Sequence, residues 1–226
     1  MLTRKAVRWY TKSLFPHPAT EILLLVMLLG TWYSLADAKK LGFYEFMVMV
    51  EAVFLPIYGM LIASHILRDR RVTLFELTLF NGPKNVFLGR LAATLVGLTI
   101  GVSSVAAVTY VRGYSWLVIP VLLKIPTYLA VITLLMVWLD TLGGIISFYI
   151  TTSAIPMALF VLLTKPYQQS SAMAVLSYFL MPIGATVEFR KFPISIVGGY
   201  TATLIVFALM ILLAYVGFKR KDFEPQ

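Results

Sequence analysis

The chain has 226 residues, of which 60% are hydrophobic and 13% charged, where a soluble domain carries roughly 25% charged and 45–50% apolar residues. Its mean hydropathy is +0.88, and apolar runs of about 20 residues, the length that crosses the hydrocarbon core, recur along nearly the whole chain, so a water-soluble domain is excluded as the main unit. The net charge of +9 sits in short clusters between those runs, as retention of Lys and Arg in cytoplasmic loops produces, and forms no basic face able to track nucleic-acid phosphates.

Residues 1–16 alternate Arg4, Lys5, Arg8 and Lys12 with Leu2, Val7, Trp9, Leu14 and Phe15. Wound as a helix, they predict an interfacial amphipathic segment lying on an anionic leaflet, apolar residues dipping inward, until Pro16 and Pro18 break it. Ala36-Asp37-Ala38 has the small-x-small look of a signal-peptidase site. The basic region before it is long and carries its own aromatic residues, so the first span, 20–36, is expected to be retained. The second span, 43–67, contains Glu45 near its start and Glu51 further in.

The stretch 68–90 is the longest charged segment. Thr73-Leu74-Phe75-Glu76 reads as a capping box, predicting a short helix from Thr73 to Phe80 that Asn81-Gly82-Pro83 stops. Leu74, Phe75, Leu77, Leu79 and Phe80 make that helix apolar on several sides although basic residues surround it. Such a surface is expected either to dock into a partner or to pack on the membrane or its own bundle.

The third span, 91–111, repeats Ala93, Gly97 and Gly101 every four residues. This small-xxx-small face serves dimerisation or packing within the subunit equally well. The fourth, 114–139, carries Lys124, which with Glu51 is expected to face the bundle, because an ionised group at mid-bilayer costs about 2.5–3.5 kcal/mol or more. The two are expected to pair, structurally or at an outer gate. The fifth, 143–163, holds Gly143, Gly144, Ser147, Thr151, Thr152, Ser153 and Pro156; Ser147, Thr151 and Ser153, with Glu51 and Lys124, either line a substrate path or hydrogen-bond to neighbouring helices. Residues 164–193 are apolar but too short to cross and return, and Pro182-Ile183-Gly184 interrupts them. They predict a re-entrant hairpin on the outer side or an interfacial helix. The sixth span, 194–218, is stopped by Lys219-Arg220-Lys221-Asp222. With both termini inside, twelve Lys and Arg fall on the inner side against six outside, which fits cytoplasmic termini in a multi-pass protein of the cell membrane. The expected fold is therefore all-α: one transmembrane domain of six helices.

The 68–90 segment resembles the loop between spans two and three of exporter-type (type-2 family) ABC transporter permeases. The matching residues are Asp69 and Arg70, Thr73, Glu76, Leu77, Pro83, Gly89 and Arg90; Val72 stands where glycine is usual. The resemblance implies a coupling helix, involving Thr73, Leu74, Phe75, Glu76, Leu77, Phe80 and Pro83, seated in a separate ATPase subunit that binds ATP and Mg. It also implies a second copy of the permease or a similar chain, and export of amphiphilic, lipid-like, peptide or drug cargo. The chain has no G-x-x-x-x-G-K-[ST] phosphate loop, so no cofactor is expected on it and the energy must come from elsewhere. The alternative is an ion-coupled secondary transporter or channel, although no repeat of the kind such carriers often show is visible. An enzyme is disfavoured: the chain has no cysteine, and His17 and His65 occur without a G-x-S-x-G or H-E-x-x-H motif.

Overall fold

The computed structural model describes residues 2–14, 18–41, 43–68, 70–138, 141–163, 178, 181–188 and 196–220. Every regular element among them is helical. Six helices are long and apolar enough to cross a membrane: Pro18–Ala36, Met47–Ile66, Pro83–Val111, Ser115–Val137, Thr141–Leu159 and Gly198–Arg220, called here the first to sixth spans. Among the described residues, the N-terminal helix Leu2–Leu14, the loop helix Arg70–Leu79 and the short helix Pro182–Glu188 lie outside the six spans. This is a membrane protein with a helical bundle.

The spans alternate in direction. At one end Thr141 Oγ1 donates to the carbonyl of Leu67 at 3.2 Å, and the Phe87 ring packs on Tyr215 and Phe218. At the other, Tyr114 Oη donates to the Leu35 carbonyl at 3.4 Å, and Phe43 packs edge-on to Tyr114 and Trp116. The second and fourth spans are 56% and 61% buried against 22% for the first and sixth, which makes them the axis of the bundle.

The second span is held on both sides by glycines opposite its bulky residues. Tyr58 lies over Gly101 and donates from its hydroxyl to the Gly97 carbonyl at 2.8 Å, while Ile62 covers Gly97. On its other side Gly59 admits the ring of Phe148 from the fifth span. Together with buried Ala93, the small residues of the third span thus pack within the subunit.

Prolines set the irregular stretches. The second span is π-helical over Met47–Phe54 and the fifth over Ile150–Ala154. Each stretch ends just before a proline, Pro56 or Pro156, whose missing N–H leaves the carbonyl four residues earlier without its helical donor. For Pro56 that carbonyl belongs to Ala52, and Ser153 Oγ from the fifth span donates to it. In the fourth span the helix is interrupted at Leu123, ahead of Pro126, and resumes as Lys124–Trp138.

Three expectations change. The third span starts at Pro83, not 91, because Arg90 is not a boundary charge but a buried, paired one. The loop helix begins at Arg70, so Thr73 lies inside it and the Thr73–Glu76 capping box does not form. In the N-terminal helix Leu14, expected to dip into the leaflet, is buried with Ala6 and Tyr10 on the side that packs against the protein; Ala6 and Tyr10 cover Gly89 of the third span.

Candidate functional site

Two polar centres lie at opposite ends of the second span. The first clamps the loop helix. Thr73, Glu76 and Phe80 recur at helical spacing and are all buried, and Glu76 Oε2 accepts three hydrogen bonds. Two come from Arg90, from Nε at 3.2 Å and from Nη2, and one from the Tyr10 hydroxyl at 2.6 Å. Arg90 Nη2 also donates to Thr73 Oγ1 at 3.0 Å. Arg90 and Glu76 are 1% and 0% exposed, so the pair works at low dielectric, where such bonds are strong but neither partner can be removed cheaply. Burial is the main reason the Tyr10 phenol is pushed far above its ordinary pKa; the Arg90 charge opposes that shift and the bond to Glu76 reinforces it. Tyr10 therefore stays a protonated donor at any physiological pH. The rings of Trp9 and Tyr10 lie 5.8 Å from Phe80.

The loop helix ends where expected. Asn81 takes the left-handed conformation, φ 57°, and the Gly82 amide donates to the Leu77 carbonyl at 2.9 Å. This is the six-to-one bond of a Schellman stop, with asparagine in the place glycine usually fills. Asn85 Nδ2 then caps the Phe80 carbonyl at 2.8 Å. With the buried side fixed, Val72, Phe75 and Leu79 turn outward on the neighbouring side of the helix and are 40%, 62% and 49% exposed. They lie at i, i+3 and i+7 and so form one stripe. Of the seven residues the resemblance pointed to, only Phe75 is on that exposed stripe. Thr73, Glu76 and Phe80 are buried, and Leu74, Leu77 and Pro83 are half-buried. Tyr10, unremarked in the sequence, is the third member of the clamp; its signal was the stripe Ala6, Tyr10, Leu14 at four-residue spacing.

The second centre is at the other end. Glu51, on the π-helical stretch of the second span, is fully buried. Its Oε1 accepts from Lys124 Nζ at 2.8 Å and from the Ile183 amide at 3.1 Å, and its Oε2 from the Gly184 amide at 2.7 Å. The Lys124 ammonium also lies 5.9 Å from the Tyr128 ring centroid. Glu51 and Lys124 thus pair. Pro182 opens the helix Pro182–Glu188, with non-helical Met181 before it. Apart from Tyr178, the rest of 164–193, and with it most of the first half of the expected hairpin, lies outside the described residues.

The fifth-span hydroxyls turn back to backbone. Thr151 Oγ1 donates to the carbonyls of Ser147 and Phe148 at 2.7 and 3.1 Å, and Thr152 Oγ1 to that of Phe148 at 2.7 Å. Thr151 and Thr152 line an apolar cavity of about 250 Å3 with Thr127, Val131, Leu134, Leu135, Pro156, Phe207 and Met210. Ser153 instead joins the second span next to Glu51, beside an open groove of about 610 Å3 shared with Ala52, Val53, Tyr149 and Met157. Of the five residues expected to share a path, Glu51 and Lys124 therefore form a buried ion pair, Thr151 and Ser153 border two separate apolar hollows, and Ser147 lines neither hollow. His65 ends the second span, and among the described residues no group of three metal-ligating side chains occurs; His17 lies outside them. No protein-family model and no curated protein matches the chain.

Proposed function

We propose that this chain is the membrane-spanning permease subunit of an ATP-driven ABC exporter, powered by a separate ATPase subunit that holds the ATP and Mg. The supporting observation is the two-faced loop helix. One side is locked to the bundle by Glu76, Arg90 and Tyr10, and another presents Val72, Phe75 and Leu79 in a stripe left exposed among the described residues. A helix held so firmly while exposing apolar side chains is built to be gripped. It also follows the second span with almost no linker, from Ile66 to Arg70, so force on it reaches the bundle axis directly. In this reading both termini and the loop helix are cytoplasmic, a second permease copy completes the path, and the cargo is amphiphilic, moved outward.

Phe75→Glu is the variant that tests it. The side chain is 62% exposed, so the change should alter the permease's own stability by no more than about 0.5 kcal/mol. It should, however, remove the ATPase subunit, and the associated ATP hydrolysis, from the purified complex. An undiminished complex would refute the docking role.

The second reading, an ion-coupled carrier, is favoured by the buried Glu51–Lys124 pair, since intramembrane ionisable residues often mark ion paths. A carrier of that kind would transport alone in liposomes under an ion gradient, with no ATP.

A further inference from the structure

We infer that Glu51 is a latch: its carboxylate holds the helix Pro182–Glu188 down on the second and fourth spans, and its withdrawal frees that helix and opens this end of the bundle. A helix leaves its first amide donors without intrahelical partners, and a neighbouring Ser, Thr, Asp or Asn usually satisfies them. Here Pro182 has no N–H and the residue before it is Met181, which cannot cap. The first two donors, on Ile183 and Gly184, are both taken by Glu51, 132 and 133 positions away in the chain. The same carboxylate neutralises Lys124. One side chain therefore ties three separate segments, and moving it breaks all three bonds together.

The second span has a built-in means of moving it. Glu51 sits inside the π-helical stretch Met47–Phe54. Returning such a stretch to α-helix shifts the register by one residue, which rotates side chains by about 100° around the axis at 3.6 residues per turn. That rotation would carry Glu51 off both Lys124 and the short helix. The register is held from the fifth span, where Ser153, itself in the π-helical stretch Ile150–Ala154, donates to the Ala52 carbonyl adjacent to Glu51. Among the described residues the short helix is otherwise held by apolar burial of Ile183 and Ala185 and by a hydrogen bond, 2.7 Å long, between Thr186 Oγ1 and Tyr200 Oη of the sixth-span helix. The latch belongs to this end of the bundle alone and works whatever energy source drives the spans.

Because the chain has no cysteine, single reporters can be read without background. Ala185→Cys places a thiol on the short helix, and Ala63→Cys a control at the far end of the second span; both positions are fully buried. With the full chain in lipid nanodiscs and a water-soluble maleimide as probe, Glu51→Gln should speed labelling at position 185 about tenfold or more and leave position 63 unchanged. Gly184→Pro, which removes one donor but keeps both charges and is tolerated in a first helical turn, should act in the same direction. The exchange Glu51→Lys with Lys124→Glu restores the ion pair but cannot cap the amides from position 51, so labelling at 185 should stay fast. The latch is overturned if Glu51→Gln and Gly184→Pro leave position 185 as slow as in the parent, if both reporters accelerate together, or if the charge exchange restores slow labelling.

Discussion

Arg90 stands where a basic residue ordinarily marks the end of a span, yet it is one of the largest fully buried side chains in the molecule. Its partner Glu76 and their common neighbour Thr73 lie three residues apart, the spacing of a capping box. The same spacing puts two side chains on one face of a helix, and here that face meets Arg90. The sequence named both residues but not their role, because the motif looks identical whether the threonine precedes the helix or lies within it. Removing one charge of the pair, as in Arg90→Met, should destabilise the protein by roughly 3–5 kcal/mol in denaturant unfolding monitored in detergent. Tyr10→Phe, which deletes one bond to a charged group, should cost about 1.5–3 kcal/mol. The raised phenol pKa sets a sign: a group held neutral in the fold stabilises it fully below its unfolded value, about 10, and loses that contribution as pH rises further. Protection of the N-terminal helix from proteolysis should accordingly be flat from neutral pH to about 9 and decline above 10, a decline that Tyr10→Phe abolishes.

At the scale of elements, long apolar runs made the six helices legible, since length and hydropathy are what a bilayer selects. Their fine structure was less so. Hydropathy does not distinguish an i→i−4 from an i→i−5 ladder, although Pro56 and Pro156 were visible and each closes a π-helical stretch. The Ala93, Gly97, Gly101 repeat was legible as a close-packing face, but spacing alone cannot name the partner. Tyr58 and Ile62 occupy the face at Gly97 and Gly101 from within the chain. A Cβ at Gly101 would lie 2.2 Å from the Tyr58 ring, so Gly101→Ala should displace that ring, break its bond to the Gly97 carbonyl, and lower stability by about 1–3 kcal/mol. If the repeat served only a dimer, the monomer's unfolding midpoint would not move. The N-terminal helix was read as amphipathic, which is right, but amphipathicity does not say which apolar surface receives it. The third span does, through Gly89.

Across the whole molecule, the second span links the two polar centres. Glu51 and the last helical residue, Ile66, are fifteen positions apart on one helix, about 20 Å at 1.5 Å per residue. The loop helix follows directly. A pull on the Val72–Phe75–Leu79 stripe would thus be carried to the ion pair along the second span. Everything mechanistic in this scheme requires that stripe to be in contact with an ATP-hydrolysing partner. Replacing Phe75 by a photo-reactive phenylalanine analogue in native membranes asks this directly. The expected product is a crosslink to a chain that carries a phosphate-binding loop, identified by mass spectrometry. Crosslinks confined to lipid, or to this chain's own bundle, would contradict it.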